Sequence, residues 1–488
     1  MSVKKENGIG IDAVRLTIVK ILTTLLTMVI AMLLSRYRTL EEYGTYSEMQ
    51  LVGNLIATIF MIGLPNSISY FISRFEEKRK RFLDVYFSLS TILGLVAGIL
   101  MIIIIPLIVN YFNNEAIKDF WYFLFFYPWS KITLSSIENL LIVYGRVNRL
   151  VVFKIIYSSI TLIVLCVTCI LDYSFEIYMV AFTSTEVAFS IWVYIISNSL
   201  QGRRVFAIDK SIIVDIIKFS LPIGLSSVVA TISIEIDKLL IGYFYTTEEL
   251  AIYNNASKEI PIAIISSSIS AILMPVLVKL MAQQKIEKAV ELWKESILLS
   301  YIFIAFSVVI LIVYASEIIA LLYSSKYLPG VNVFIVYALV IICRVTYFGI
   351  LLNASGNTKF VLYSSLASLV LNFILNIVFY YCFGYIGPAI ATVCSTGLVA
   401  FAQIMYTAKV FHFKIRNIFP WLGLLKISVV NGIFFIIMKA IDYLIIMQGN
   451  QSSCLYAVCA SLLFGITYLF IYRNKIKQKW QILNSFRV

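Results

Sequence analysis

Charged residues stand inside or against long apolar runs, where charge is costly, among them Arg15, Lys20, Lys131, Glu138, Glu186, Glu235, Asp237, Lys238, Lys258, Glu259 and Arg344. A charged side chain at the centre of a bilayer costs roughly 2.5–3.5 kcal/mol on insertion scales. Such residues face a cavity, pair with each other, or both. Lys131 and Glu138, seven apart, share one helical face, as do Glu235 and Lys238, three apart, with Asp237 turned away. Lys and Arg in a cavity receive anionic oxygens, Arg bidentately. The plainer reading is that Lys131–Glu138 and Glu235–Lys238 are ion pairs that hold helices together. Lys439 and Asp442, three apart, read as a packing pair.

Other chemistries find no constellation. Seven cysteines sit in or beside apolar runs, and Cys166-x-x-Cys169 has neither a second pair nor a histidine partner. The one histidine, His412, has no triad or metal-ligand set around it. No Gly-x-x-x-x-Gly-Lys-Ser/Thr loop occurs, so no Walker-type ATPase is expected in this chain. No catalytic residue, metal or resident cofactor is expected. Glu235-Ile236-Asp237 resembles the acidic motif of sugar-transferring enzymes, but those act in solvent-facing loops. The N-terminal run after Lys4 and Lys5 is too long for a signal-peptide core, and no cleavage site is expected.

The elements that must carry these charges follow from composition. Of 488 residues, 61% are hydrophobic and 13% charged. Soluble proteins run nearer 45–50% and about 25%. The windows predict an all-α polytopic membrane protein with about fourteen helices, at 14–35, 48–73, 83–109, 120–144, 151–171, 176–199, 219–243, 249–280, 296–322, 330–354, 359–382, 386–410, 420–446 and 453–472. A soluble enzyme, a nucleic-acid binder and a disordered scaffold are excluded. With both termini and the even-numbered connections placed in the cytoplasm, that side collects 30 of the 39 Lys and Arg. Arg74 to Arg81, including Lys78, and Arg203 with Arg204 are examples. The outer side holds four, Arg36, Arg38, Lys118 and Lys326, and five lie within spans. The net charge of +13 is therefore a topology signal.

The chain reads as duplicated. Thr39-Leu40-Glu41-Glu42-Tyr43-Gly44-Thr45-Tyr46 returns as Thr246-Thr247-Glu248-Glu249-Leu250-Ala251-Ile252-Tyr253, 207 residues later. Leu64-Pro65 has a counterpart in Met274-Pro275, and Gly145-Arg146 in Gly356-Asn357. Such a period covers six spans, so the copies face the same way, related by an axis along the membrane normal. The expected organisation is a lobe at 1–210, a second at 211–412, and an appended helix pair with a basic cytoplasmic tail at 413–488. Two such lobes around a cavity suit alternating access, and Pro65, Pro222, Pro261 and Pro275 mark bends able to gate it.

The stretch from Leu34 to Tyr46, and Asp237-Lys238-Leu239-Leu240-Ile241-Gly242-Tyr243-Phe244 with the motif after it, resemble polysaccharide-biosynthesis (Wzx-like) flippases. That family belongs to the multidrug/oligosaccharidyl-lipid/polysaccharide (MOP) exporter superfamily. Ala251 departs from a common glycine. The resemblance implies a flippase that moves polyprenyl-pyrophosphate-linked oligosaccharide from the inner to the outer leaflet of a bacterial inner or plasma membrane. The product would be O-antigen, capsule or another surface polysaccharide. Its partners would be that lipid, the bilayer and a polysaccharide polymerase, with no nucleic acid.

The cations Arg15, Lys20, Lys131, Arg344, Lys238 and Lys258 then form a ladder by depth for the pyrophosphate. Glu138, Glu186, Glu235, Asp237 and Glu259 serve as cavity acids or couple transport to an H+ or Na+ gradient. Trp121, Tyr122, Tyr127 and Trp129 are candidates to line a sugar path. The rivals are a MATE-like drug or cation exporter, expected to have twelve spans and an acid-dominated cavity, and a membrane polymerase or glycosyltransferase, expected to have a large outer loop. The longest outer connection here is about 13 residues. A non-transporting scaffold would not need charges on corresponding spans.

Overall fold

The computed structural model describes residues 6–74, 79–202, 205–258, 260–447 and 454–485. Lys4, Lys5, Lys78, Arg203, Arg204 and Glu259 lie outside the described residues. The described chain is helical, with no strand. Its contacts divide it into two compact units, Met1–Ala251 and Ile252–Val488.

The first unit contains α1 (Glu6–Tyr37), α2 (Leu40–Met61), α3 (Leu64–Arg74), α4 (Arg79–Phe112), α5 (Trp121–Val143), α6 (Val147–Ile170), α7 (Phe175–Gln201) and α8 (Lys210–Phe244). The boundary falls inside α9 (Thr247–Ala256). The second contains α10 (Ile264–Ala282), α11 (Ile286–Val313), α12 (Ala315–Tyr323), α13 (Val331–Cys343), α14 (Ile350–Ala354), α15 (Thr358–Phe383), α16 (Gly387–Val410), the short α17 (Ile415–Ile418), α18 (Trp421–Met447) and α19 (Cys454–Ser485).

Among the described residues, twelve stretches are long and apolar enough to cross a membrane. One of them, Lys359–Val410, runs through both α15 and α16. The charged α5 is not among the twelve. The polytopic all-α architecture is as expected.

Some expected single spans are broken. The second is α2 followed by α3, with Ile62 and Gly63 at positive φ between them. A Cβ on Gly63 would stand 2.7 Å from the Gly224 amide nitrogen, so the break lets α2 and α8 touch backbone to backbone. The eighth divides into α9 and α10, with Pro261 opening a short 3-10 turn before α10. The tenth unwinds from Arg344 to Gly349, between α13 and α14.

The repeated motifs are repeated devices. Thr39 caps α2, its hydroxyl accepting from the Glu42 amide at 3.1 Å while the Glu42 carboxylate accepts from the Thr39 amide at 3.0 Å. Thr246 and Glu249 form the same capping box at 3.2 and 2.9 Å. Gly145 and Gly356 both have positive φ. The amides after them, of Arg146 and Asn357, return to Leu141 and Leu352 at 2.8 Å each, the long bond of a Schellman turn.

The duplication extends beyond these motifs. The 3-10 turn Glu115–Phe120 leads into α5, and Ser325–Gly330 leads into α13. Tyr46 packs edge-on to Tyr178 at 6.4 Å, and Tyr253 edge-on to Tyr385 at 5.5 Å. The proline pair is different. Pro65 opens α3, where no amide is needed, whereas Pro275 lies inside α10.

In the second unit, α18 and α19 pack on α11. Tyr468 donates to the Ile302 carbonyl at 2.9 Å and stacks on Phe306. Lys439 donates to the Val313 carbonyl at 2.9 Å and sits 3.8 Å from Asp442, so this pair anchors α18. Lys479 binds Glu295 at 2.6 Å, fastening the far turns of α19.

Candidate functional site

In the first unit, Asn54, Ala57, Thr58 and Met61 of α2 and Lys131, Ser135 and Glu138 of α5 border a cavity of about 370 Å³, closed by Phe153, Lys154 and Tyr157 of α6. Lys131 reaches it from one helical turn beyond Tyr127, whose ring lies under the ammonium at 4.9 Å. The negative ring face attracts the cation. Tyr127 is fixed in turn by donating to Asn54 Oδ1 at 2.9 Å. Glu186 of α7 is almost fully buried, accepts from the Tyr157 hydroxyl, and lies within electrostatic range of Lys131. Its second oxygen, Oε2, is buried without a hydrogen-bond partner among the described residues. A lysine above a tyrosine face with a buried carboxylate nearby makes a charge-compensated cluster at the cavity wall.

Glu138 also borders this cavity, but its ion-pair partner is Lys154, not Lys131. The helical offset from Lys131 to Glu138 suggested a pair along α5. The neighbouring helix α6 supplies a closer cation instead.

Glu235 and Lys238 on α8 are an ion pair at 2.7 Å, both largely buried, as the plainer sequence reading has it. Glu235 is also within electrostatic range of Tyr127, which ties this pair to the Lys131 cluster. Asp237 is turned away from them and is 2% exposed, accepting from the Lys238 amide at 3.1 Å. Arg15 donates to Asn148 at 3.0 Å on an exposed face, and Lys20 is exposed.

In the second unit, Lys258 donates to Asn255 Oδ1 at 2.9 Å. Arg344 lines a separate cavity of about 530 Å³ with Thr346, Tyr347, Ile350 and the α10 residues Ser266, Ser267, Ser270, Ala271 and Met274. The Ser266 hydroxyl donates to the Arg344 carbonyl at 2.9 Å, pinning the unwound segment to α10.

The structure therefore brings Lys131, Glu138 and Glu186 into one neighbourhood, with Glu235 and Lys238 at its edge. Lys258 and Arg344 belong to the second unit. Sequence reasoning missed Lys154, Tyr157 and Asn54. Lys154 falls within the apolar window 151–171, and that position is the available signal. Of the four candidate aromatics, Tyr127 holds Lys131, while Trp121 is 55% exposed.

The two cavities correspond through the repeat. Ala57, Thr58 and Met61 of the first become Ser266, Ser267 and Ser270 of the second, 209 residues later. Ser135 becomes Thr346, at the offset of 211 shared by the glycine turns. Each unit thus places a cavity beside the second and fourth expected spans of its repeat, α2 and α5 in the first and α10 and the stretch 344–350 in the second.

A profile of the family described as "Polysaccharide biosynthesis protein" matches residues 33–332. No curated protein sequence is a significant match. Among solved structures, the lipid II flippase MurJ in an inward closed conformation matches with a TM-score of 0.70 and 18% identity, over 94% of this chain and 99% of that one. An inward-facing multidrug-resistance MATE family transporter of the MOP superfamily matches with a TM-score of 0.61 and 15% identity, over 86% and 99%. An outward-facing one matches with 0.51 and 16%, over 86% and 96%.

Proposed function

Because the chain belongs to the polysaccharide biosynthesis protein family, we propose that it is a flippase for polyprenyl-pyrophosphate-linked oligosaccharide. It carries the repeat unit from the inner to the outer leaflet of a bacterial plasma membrane by alternating access, and it is not an enzyme. The product serves a surface polysaccharide such as O-antigen, capsule or exopolysaccharide, made with a downstream polymerase. The observation that carries this reading is the cation set on repeat-related helices, Lys131 in one cavity and Arg344 in its counterpart. A fold shared with a lipid II flippase supports a lipid-linked substrate.

Moving a diphosphate across the bilayer strips its water, and fixed cations must replace that water. Lys131, Lys238, Lys258 and Arg344 take that role, with Arg15 and Lys20 near the cytoplasmic entrance. Glu186, with one buried oxygen lacking a hydrogen-bond partner among the described residues, is the acid best placed to couple transport to H+ or Na+. Both termini are cytoplasmic in this reading, which reporter fusions after Arg81 and Val488 test.

The deciding experiment reconstitutes the purified protein in proteoliposomes with a fluorescent polyprenyl-diphosphate oligosaccharide in one leaflet. Protein-dependent movement to the other leaflet is expected, reduced by Arg344→Ala and less so by Arg344→Lys, which keeps the charge but not the bidentate fork. Movement no faster than in empty liposomes overturns the proposal.

A further inference from the structure

The two repeat-related cavities differ in what their walls offer a ligand. The first is bordered by the Lys154–Glu138 ion pair and by Lys131 over Tyr127. Among the described residues lining the second, none is a carboxylate, and four are hydroxyl-bearing side chains beside Arg344 and Tyr347. The helix of the first cavity, α5, is continuous, whereas its counterpart is unwound from Arg344 to Gly349. Non-helical backbone at membrane depth is tolerated where it is buried in protein or lines a polar cavity.

The hydroxyls are oriented by their existing bonds. Ser267 donates to the Ile264 carbonyl at 3.0 Å, so its oxygen faces the cavity as an acceptor. Thr346 accepts from the Trp293 indole at 3.2 Å, and Tyr347 accepts from the Asn353 amide at 2.8 Å, so their protons are directed elsewhere as donors. A phosphate oxygen only accepts and gains nothing from the Ser267 oxygen. A sugar hydroxyl both donates and accepts, and it matches a wall of mixed polarity. The Tyr347 ring is 42% exposed on that wall, a flat apolar face for the C–H side of a pyranose.

We infer that the cavity formed by α10 and the unwound Arg344–Gly349 segment is a glycan subsite that takes a hexose ring of the lipid-linked substrate. This inference rests on the flippase reading and adds to it where the sugar is held, on the wall beside the Arg344 that meets the diphosphate. Tyr347 stacks on the ring, Ser267 accepts from one of its hydroxyls, and Thr346 donates to another. The corresponding cavity of the first unit has Thr58 and Ser135 at these places but no aromatic in the position of Tyr347, which is Ser136.

The test uses the full-length protein in lipid nanodiscs and four probes. These are one short polyprenyl diphosphate without sugar, and the same lipid bearing glucose, galactose or N-acetylglucosamine. At least one glycosylated probe is expected to bind about 10-fold more tightly than the bare lipid. Tyr347→Ala and Ser267→Val should cut that advantage to about twofold or less while bare-lipid affinity stays unchanged. Ser267 is exposed, so its substitution leaves packing intact. Tyr347→Phe, which keeps the ring, should lose only part of the advantage. Thr58→Val in the first cavity should keep all of it. An undiminished advantage in Tyr347→Ala and Ser267→Val, or a wild-type protein that binds all four probes equally, overturns the subsite and leaves the flippase reading standing. A wild-type protein that binds none of them overturns the flippase reading and this inference with it.

Discussion

Lys131 in the first unit and Arg344 in the second occupy matching cavities on differently treated helices. Around Lys131 the helix is unbroken, and its charge is met by Tyr127 and by the buried Glu186 of α7. Around Arg344 the helix opens, Ser266 and Ser270 take the places of Ala57 and Met61, and Tyr347 takes that of Ser136. The frame that sets both cavities is the same in each copy: a 3-10 entry, a glycine turn at the far end, an edge-on tyrosine pair. The copies share these end devices, while the spans between them differ in where they break and in the chemistry of the cavity walls.

The largest expected effect is at Lys131. Removing one partner of a buried charge cluster typically costs about 3–5 kcal/mol, because the remaining charge is left uncompensated. Lys131→Met should therefore lower the yield of monodisperse protein on size exclusion and abolish export. Adding Glu186→Gln should recover the yield but not the export. Recovery of both would make Lys131 a neutralising residue and erase its difference from a packing pair.

A second difference between copies lies in the capping motif. A Cβ on Gly44 would stand 2.2 Å from the Thr247 carbonyl oxygen, whereas the second copy already carries Ala251. Gly44→Ala should cost about 1–3 kcal/mol by forcing two backbones apart. Ala251→Gly should cost only about 0.5–1 kcal/mol, the helix-interior penalty of glycine. Thermal unfolding in detergent measures both, and equal losses would remove the asymmetry.

Smaller still is the Glu138–Lys154 pair, with half of the Glu138 side chain exposed. Glu138→Gln should change stability by less than about 1 kcal/mol, the range of exposed ion pairs. If its loss matched that of Lys131→Met, Glu138 would belong to the buried cluster. The least effect is expected at Asp209, which caps α8 by accepting from Ser211 and Ile212. The Ser211 hydroxyl, with the two amides, holds its carboxyl below the usual aspartate range. A lowered folded pKa means its contribution is present above the unfolded pKa and fades as pH falls through the lowered one. Asp209→Asn should therefore lower stability slightly at neutral pH, and the difference from wild type should close as pH falls below about 4. A difference that persists unchanged into acid would count against this account.

The sequence made the helical architecture legible because apolar windows of bilayer length dominate composition. It also exposed the repeat, because Thr39 and Thr246, like Gly145 and Gly356, are demanded by backbone geometry at helix ends. Lys131 was legible as a charge in an apolar run. The Lys154 partner of Glu138 was not, since helical spacing reports neighbours along α5 and nothing about α6. The unwound Arg344–Gly349 segment was hidden inside an apolar window that reads equally well as continuous helix. Pro275 misled for a related reason: the same residue opens a helix at one site and lies inside one at another, and offset alone does not distinguish them.

Helix α19 has 32 residues, which at about 1.5 Å each is roughly 48 Å, against a hydrocarbon thickness of about 30 Å. Its distal part is not left to sway, because Lys479 is fastened to Glu295 of α11. A soluble helical protein fused in register after Ser485 would thus be held at a fixed angle to the transmembrane bundle. That makes α19 a ready mast for a fiducial in electron cryomicroscopy, where a small helical membrane protein is otherwise hard to align. Lys479→Ala in such a fusion would loosen the mast and blur the fiducial before it blurred the helices.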